Sequence, residues 1–233
     1  MDHGKPIIYV KNVRKVYRMG DEEVVALKRI NLKIYKGEVC CIFGTSGSGK
    51  STLLNQLAGM EKPTQGQVFI RGKSISRMGE EELAAFRQEH MSFIFQSYNL
   101  LPSMTAVENV AMPLMFKGMD RKRREAMAEE MLKRVGLSHR LHHYPSQMSG
   151  GQQQRAGIAR AFVSRPEVVF ADEPTGNLDT KTTAEIMDMV MGFARRFNQT
   201  IILVTHDPGM SRYADRIVTL VDGIITGDER KGQ

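Results

Sequence analysis

Short apolar runs, each bounded by turns or polar residues, recur along the chain and indicate its fold class. Four of them stand out: Val39–Phe43, Met91–Phe95, Val168–Ala171 and Ile201–Thr205. Runs of this length are typical of strands that are buried on both faces of a parallel sheet. Because helical stretches separate the runs, the pattern predicts an α/β fold with a mainly parallel sheet.

Alternating apolar residues predict strands of another kind near the two ends of the chain. Period-two spacing is typical of strands buried on one face, and it occurs at Ile7 and Tyr9 and again at Ile30, Leu32 and Ile34. This alternation predicts an N-terminal antiparallel β subdomain. Near the other end, Asp222-Gly223 separates Ile217–Val221 from Ile224-Ile225 and suits a tight hairpin turn.

Strand signals are missing from the middle of the chain. Arg121–Leu137 has apolar residues at helical spacing, and two pairs of opposite charge, Glu129/Lys133 and Glu130/Arg134, are each one helical turn apart. We therefore expect one domain, 1–233, in which residues 96–164 form an inserted helical subdomain. Residues 1–95 and 165–233 would form the α/β core together with the β subdomain.

Composition and charge are those of an ordinary globular protein. Of the 233 residues, 41% are hydrophobic and 25% charged, which allows a sizeable core. The net charge of +7 is scattered, and its only run is Arg121–Arg124. Such a run is either a solvated helix start or a contact for an anionic partner.

Two further features concern the cellular setting. Cys40 and Cys41 are adjacent in an apolar run, where a disulfide between them would be strained, so two buried reduced thiols are expected. No apolar stretch approaches the roughly 18–20 residues that span a bilayer. Met1–Pro6 shows no apolar signal region. We therefore expect any role at a membrane to depend on partners.

A glycine-rich loop follows the predicted strand Val39–Phe43 and matches the pattern G-x-x-x-x-G-K-[ST]. It consists of Gly44, Thr45, Ser46, Gly47, Ser48, Gly49, Lys50 and Ser51, and Thr52 extends it. Glycines let backbone N–H groups surround phosphate oxygens, and the next helix adds the positive end of its dipole. Lys50 would reach the β- and γ-phosphates, and the Ser51 hydroxyl would bind Mg²⁺. The helical stretch Ser51–Ala58 supports a nucleotide site, although kinases, GTPases, helicases and transporters share this loop.

Two acids end the predicted strand at residues 168–171. Asp172 suits a magnesium ligand acting through water, whereas Glu173 would orient or deprotonate an attacking water. Without the phosphate loop, a strand followed by a surface turn would explain this pair equally well.

A second anion site is predicted at Ser149, where Ser149 and Gln152 have the spacing of a capping box that begins a helix. The segment Met148–Arg155 resembles the signature motif of ABC ATPases, with Met148 in place of the usual leucine. The resemblance implies a P-loop NTPase fold and an ATP-hydrolysing subunit of an ABC transporter. It also implies that Ser149, Gly150, Gly151 and Gln152 contact the γ-phosphate of ATP bound to an opposite subunit. The functional form would then be a homodimer or a pseudo-symmetric heterodimer.

Further positions match the same family in order along the chain. Tyr17 corresponds to the aromatic residue that stacks on adenine, unless it is a strand tyrosine with a buried ring. Gln96 matches the glutamine that senses Mg²⁺, and His206 matches the histidine that contacts the γ-phosphate. Asp179 matches the D-loop aspartate, with Asn177 where many relatives have serine or alanine. His139, His142 and His143 have no such support and are expected at the surface.

The segments Ser97–Pro102 and Thr105–Val110 resemble the branch that contains lipoprotein-release, macrolide-export and antimicrobial-peptide-resistance transporters. That resemblance implies transmembrane permease subunits as partners, and a cytoplasmic, peripheral location on the inner face of the cell membrane. Methionines 112, 115 and 119 would either form a docking face or pack in the core.

Other functions within this family remain open or are disfavoured. A regulator of a membrane complex, such as one in cell division, would share the design without moving a substrate. Family members that act on nucleic acid or the ribosome have two ATPase domains or a long coiled-coil insertion, and neither is found here. No nucleic-acid partner is therefore expected.

Overall fold

The computed structural model describes residues 4–231, so the first three and last two residues of the predicted domain lie outside it. The chain divides into two compact units, residues 1–87 with 198–233 and residues 88–197. Both contain strands and helices, which confirms the α/β class. The predicted bounds of the helical subdomain stay a prediction.

An antiparallel sheet begins the first unit, as predicted. Its strand order is β2-β1-β4-β5, formed by β1 (Ile8–Met19), β2 (Glu22–Ile34), β4 (Gln65–Ile70) and β5 (Lys73–Ser74). The alternation at Ile30, Leu32 and Ile34 is confirmed, since all three are buried. The phase proposed at Tyr9 is wrong. Ile7, just before the strand, is buried, but within β1 it is Ile8 that is buried and pairs with both Ile34 and Ile70, whereas Tyr9 is half-buried on the other face.

The remaining strands of the first unit position the glycine-rich loop. They are β3 (Val39–Phe43), β8 (Thr200–Thr205), β9 (Arg216–Val221) and β10 (Ile224–Arg230). β3 pairs in parallel with β8 and with β9, and β10 pairs antiparallel with β9. The predicted hairpin turn is confirmed by φ values of 45° at Asp222 and 74° at Gly223. The two helices of this part of the sequence are α1 (Lys50–Leu57) and α2 (Glu80–His90).

The second unit contains a parallel pair of strands and four helices. The strands are β6 (Met91–Phe95) and β7 (Val168–Asp172). The helices are α3 (Ala106–Phe116), α4 (Arg121–Arg134), α5 (Gly150–Val163) and α6 (Thr180–Phe197). No strand lies between β6 and β7 along the described chain, in agreement with the predicted helical stretch.

The arginine run forms the start of α4 in solvent. Asp120 caps this helix by accepting a hydrogen bond from the Arg123 backbone N–H at 3.0 Å. Of the two predicted pairs along the helix, Glu130/Arg134 is present, with Arg134 Nε 3.1 Å from Glu130 Oε1, whereas no ion pair joins Glu129 and Lys133 among residues 4–231. The run therefore begins a helix, as the first of the two interpretations predicts.

The burial of individual side chains tests several other expectations. Cys40 and Cys41 are free and buried, and burial raises the pKa of the Cys41 thiol to about 11. Met115 is exposed, and Met112 and Met119 are half-buried, so core packing does not account for these methionines. Within residues 4–231, no helix combines the length and apolarity required to cross a bilayer.

Candidate nucleotide site

The glycine-rich loop joins β3 to α1, and two of its glycines are required by its shape. A Cβ atom on Gly44 would overlap the Leu220 carbonyl oxygen and lie 2.6 Å from Ser48 Oγ. Gly49 has a φ of 99°, and a Cβ atom there would lie 2.7 Å from the Ala26 carbonyl oxygen. A larger residue at either position would displace the loop backbone. The loop is thus built for close approach of main-chain groups.

Lys50 and the start of α1 give this loop the properties of a phosphate site. Lys50 is 6% exposed, and its ammonium donates a hydrogen bond to the Thr45 carbonyl across the loop at 2.8 Å. No side chain caps α1, whose N-cap residue is Gly49, so its first N–H groups remain available for an anion. The Ser48 hydroxyl is buried and has no hydrogen-bond partner among the described residues. These features fit the terminal phosphates of a nucleotide.

His206 lies at the same edge of the sheet as the phosphate loop. It directly follows β8, and β8 pairs in parallel with β3 so that Thr205 is opposite Phe43. His206 is exposed, and Asp207 caps the next turn by accepting from the Gly209 N–H at 2.8 Å. His206 therefore lies at the phosphate-loop end of β8, and its contact with the γ-phosphate stays a prediction.

Tyr17 is half-buried in the first unit, and its ring is not enclosed in the core. Its hydroxyl donates a hydrogen bond to Glu61 Oε2 at 2.6 Å, and Lys15 Nζ lies 5.0 Å from the centre of the ring. Burial raises the pKa of this hydroxyl, and Glu61 adds to the effect, whereas a hydrogen bond with Thr52 opposes it. Tyr17 is linked through Glu61 to the helix that follows the phosphate loop, because Asn55 Nδ2 on α1 donates to Glu61 Oε1 at 3.0 Å.

Gln96 and the two acids share one edge of the strand pair in the second unit. Phe95 is opposite Asp172, so Gln96 and Glu173 both follow the carboxyl ends of their strands. Gln96 Nε2 donates to Asn177 Oδ1 at 3.4 Å, and Asn177 Nδ2 donates to the Gln96 carbonyl at 3.2 Å. Glu173 has a φ of 42°, a left-handed conformation that costs about 1–3 kcal/mol in a residue other than glycine.

Asp179 caps the helix that follows these acids. It accepts hydrogen bonds from the Lys181 and Thr182 N–H groups at 3.1 and 3.0 Å and from the Thr182 hydroxyl at 2.6 Å. These bonds, led by that from the Thr182 hydroxyl, lower the pKa of Asp179. Asp179 thus fixes the start of α6, and its role as the D-loop aspartate stays a prediction.

The predicted capping box is present at Ser149 and starts α5. The Gln152 N–H donates to Ser149 Oγ at 3.3 Å, and the Ser149 N–H donates to Gln152 Oε1 at 3.0 Å. Gly150 and Gly151 form the first turn, where N–H groups have no partner within the helix. A Cβ atom on Gly150 would lie 2.8 Å from the Tyr98 hydroxyl, so the aromatic side chain packs closely against this turn. The turn is a second helix start suited to an anion.

Sequence reasoning missed two buried polar residues on α5. Gln154 donates to the Pro174 carbonyl, and Arg160 donates to the Asn99 and Tyr98 carbonyls at 2.6 and 2.9 Å. The only signal in the sequence was a polar side chain at a helical position whose neighbours, Ala156 and Ile158 among them, are apolar.

The predicted magnesium ligands are consistent with the ion's preferences. Ser51, Gln96 and Asp172 offer oxygen atoms, which Mg²⁺ prefers, and one carboxylate is enough when phosphates and water complete its shell. Among residues 4–231 no cluster of three or more His, Cys, Asp or Glu side chains offers a separate metal site.

Comparison with known proteins places these features in a family. Residues 27–176 match the family described as ABC transporter. The chain is 48% identical over 219 residues to an uncharacterized ABC transporter ATP-binding protein of Methanocaldococcus jannaschii, covering 94% of this chain and 97% of that protein. It is 45% identical over 224 residues to the macrolide export ATP-binding/permease protein of Pasteurella multocida, where it covers 96% of this chain but 34% of the longer protein.

A solved structure is similar along almost the whole chain. It is a dimeric post-hydrolysis state of an ATP-binding cassette bound to ADP and Pi, with a TM-score of 0.89 and 42% sequence identity. The similarity covers 96% of this chain and 98% of that one.

Proposed function

This chain belongs to the ABC transporter family, and from that premise we propose that two copies bind and hydrolyse ATP together to drive a membrane permease. The proposal depends on one observation above all: a single chain has two separate helix starts suited to an anion, at Lys50 and at Gly150. One ATP has one terminal phosphate, so a second such start is useful if it serves the nucleotide of another subunit. The dimeric cassette with ADP and Pi supports this arrangement.

The chemistry assigned to the residues is hydrolysis of the bond between the β- and γ-phosphates. Glu173 accepts a proton from water while the water oxygen forms a bond to the γ-phosphorus. The bond to the bridging oxygen breaks, and ADP and phosphate leave. Lys50 and the N–H groups at the start of α1 stabilise the charge on the phosphates, and His206 contacts the γ-phosphate. Mg²⁺, held by Ser51, Asp172 and Gln96, would neutralise further phosphate charge.

ATP binding and hydrolysis would then change how strongly the two copies associate. The first turn of α5, at Ser149, Gly150 and Gly151, adds charge-assisted hydrogen bonds to the γ-phosphate held by the other subunit. Cleavage removes that phosphate, and the contacts fall away. The pair therefore closes on ATP and opens after hydrolysis, which is the motion that a permease partner would use.

The membrane partner is supported by a relative and by an exposed surface. The macrolide exporter is named as an ATP-binding and permease protein, and this chain matches about a third of it. At the end of α3, Met115 and Phe116 are exposed, which is unusual for large apolar side chains and suits a protein contact. We therefore place the chain on the cytoplasmic face of the membrane, beside permease subunits of its own.

The test is the variant Glu173→Gln. Removing a general base lowers turnover by about 10²- to 10⁴-fold, whereas ATP binding is retained. The variant should accumulate as an ATP-dependent dimer in size-exclusion chromatography with light scattering. Glu130→Gln, at an exposed position on α4, is the matched control and should hydrolyse ATP at the wild-type rate. Near-wild-type hydrolysis by Glu173→Gln would remove Glu173 from the role of base.

A further inference from the structure

Two polar residues of α5 are buried in the protein, and each donates hydrogen bonds to a loop of the candidate site. Gln154 is 0% exposed and Arg160 is 8% exposed, although the rest of this helix face is apolar. A buried charge usually pairs with a carboxylate, but within residues 4–231 the hydrogen bonds of Arg160 go to main-chain carbonyls instead. Burial accordingly lowers the pKa of its guanidinium. An arginine kept under these conditions is expected to have a specific task.

The carbonyls that these residues hold belong to, or directly follow, residues with a left-handed backbone conformation. Arg160 donates to Tyr98 and Asn99, whose φ values are 61° and 48°. Gln154 donates to Pro174, which directly follows Glu173 with its φ of 42°. Left-handed conformations in residues other than glycine persist only where surrounding contacts enforce them. The two side chains of α5 provide such contacts at both places.

The two loops are those that contain the residues assigned to hydrolysis. Tyr98 and Asn99 lie in the loop that starts at Gln96, and Pro174 adjoins Glu173. The Tyr98 hydroxyl also packs against Gly150 at the start of α5. One helix therefore contacts both loops and begins with the turn assigned to the second subunit's nucleotide.

We propose that Arg160 and Gln154 are positioning residues that hold the Gln96 loop and the Glu173 turn of their own chain in the geometry required for hydrolysis. This inference rests on the proposed function. It gives α5 two tasks: its first turn serves the nucleotide of the partner, and its buried residues serve the loops of the same chain.

The proposal predicts an effect on turnover without an effect on binding. Arg160→Met removes both hydrogen bonds, and a misplacement of catalytic groups by about 1 Å costs up to roughly 100-fold in rate. We expect kcat to fall about 10- to 100-fold, while the Kd for ATP stays within about twofold because Lys50 and its loop are unchanged. Arg160→Lys keeps the charge and one donor group, so its kcat should lie between those of the wild type and Arg160→Met. Gln154→Leu should reduce kcat in the same way.

Hydrogen exchange provides a readout that does not depend on activity. In Arg160→Met, amide exchange should become faster at residues 96–101, and in Gln154→Leu at residues 173–177. Exchange in β3 and α1 should not change.

Arg216 supplies the matched control. It is also buried and donates to a backbone carbonyl, that of Lys33, at 2.6 Å, but it lies at the start of β9, away from the phosphate-loop end of β3. Arg216→Lys should lower stability and leave kcat at the wild-type value when assayed well below its melting temperature. If Arg160→Met or Arg160→Lys changes kcat no more than Arg216→Lys does, or if ATP affinity falls in parallel with kcat, the positioning role is refuted.

The proposed function and the positioning role of Arg160 and Gln154 can be refuted separately. If the purified wild-type chain does not hydrolyse ATP, the proposed function fails, and the exchange rates at residues 96–101 and 173–177 still decide whether α5 holds these loops. If Arg160→Met does not fold, Arg160→Lys and Gln154→Leu provide the same comparison. Unchanged exchange in both loops would overturn the proposal whatever the ATPase rates are.

Discussion

Replacing Lys50 with alanine gives the most direct test of the phosphate site. One donor of the Lys50 ammonium is used by the Thr45 carbonyl at 2.8 Å, and an ammonium has three donors. ATP can therefore gain a hydrogen bond from Lys50 without breaking the bond inside the loop. A hydrogen bond to a charged group contributes about 1.5–3 kcal/mol. Since about 1.4 kcal/mol is tenfold in affinity, Lys50→Ala should weaken ATP binding about 10- to 150-fold.

The effect on folding should be small by comparison. Lys50→Ala removes one hydrogen bond whose acceptor, on the exposed residue Thr45, can be hydrated instead. That loss is about 1 kcal/mol, and in a domain of this size it lowers the melting temperature by roughly 2–4 °C. Lys50→Met keeps most of the side-chain volume, so it separates the lost charge from the lost packing.

Isothermal titration of ATP into the purified chain measures the affinity directly, with a thermal melt of each variant in parallel. Lys62→Ala is the control, because Lys62 is an exposed lysine at 3.9 Å from Glu80 in the same unit. Its Kd should stay within about twofold of the wild type, as expected for a surface ion pair. Unchanged ATP affinity in both Lys50→Ala and Lys50→Met would refute the assigned phosphate contact.

Two predictions concern the folded state rather than the nucleotide. Hydrogen bonds from the Thr105 N–H and hydroxyl lower the pKa of Glu108, so this group stabilises the fold above the ordinary pKa of 4.5, and the contribution disappears as pH falls through the lowered value. The amide of Glu108→Gln can still accept these hydrogen bonds but does not titrate. The urea midpoint of this variant should therefore change less than that of the wild type between neutral pH and a pH below 4.5. Equal changes in the two proteins would contradict the assignment. Cys40 and Cys41 are buried, and burial raises the pKa values of their thiols. A thiol reagent at mildly alkaline pH should therefore label them only as the protein unfolds. Rapid labelling of the native chain would be inconsistent with their burial.

Much of the fold could be predicted because its signals are local. The run Met91–Phe95 is a strand with the predicted bounds, and the Asp222-Gly223 hairpin follows from the conformations that those two residues accept. The error at Tyr9 shows that a local pattern does not predict which face of a strand is buried. Both faces of β1 contain apolar or aromatic residues, and the face that is buried is decided by pairing with β2 and β4, whose partners Ile34 and Ile70 are distant in sequence. The strand β4 itself was not predicted.

In the candidate site, too, the features that depend on a few consecutive residues could be predicted, and those that depend on distant contacts could not. Anion-binding helix starts at Lys50 and Ser149 could be predicted because a glycine-rich turn and a capping box each involve a few consecutive residues. The placement of Glu173 could not, because its backbone conformation depends on contacts between distant residues. Gln154 contacts Pro174 from 20 residues away, and Arg160 contacts Asn99 from 61 residues away.

The difference between local and distant contacts also explains why hydrolysis should be sensitive to changes at Gln154 and Arg160, the two buried polar residues of α5. A helix start keeps its N–H groups unpaired in any environment, so the affinity for phosphate is largely a local property. The carboxylate that we propose as the base must be held within a fraction of an ångström, and its residue, Glu173, has a left-handed backbone conformation that surrounding contacts must enforce. Binding should therefore tolerate changes in α5 that hydrolysis does not. Loss of binding in Arg160→Met, with hydrolysis per bound ATP unchanged, would show that this separation is wrong.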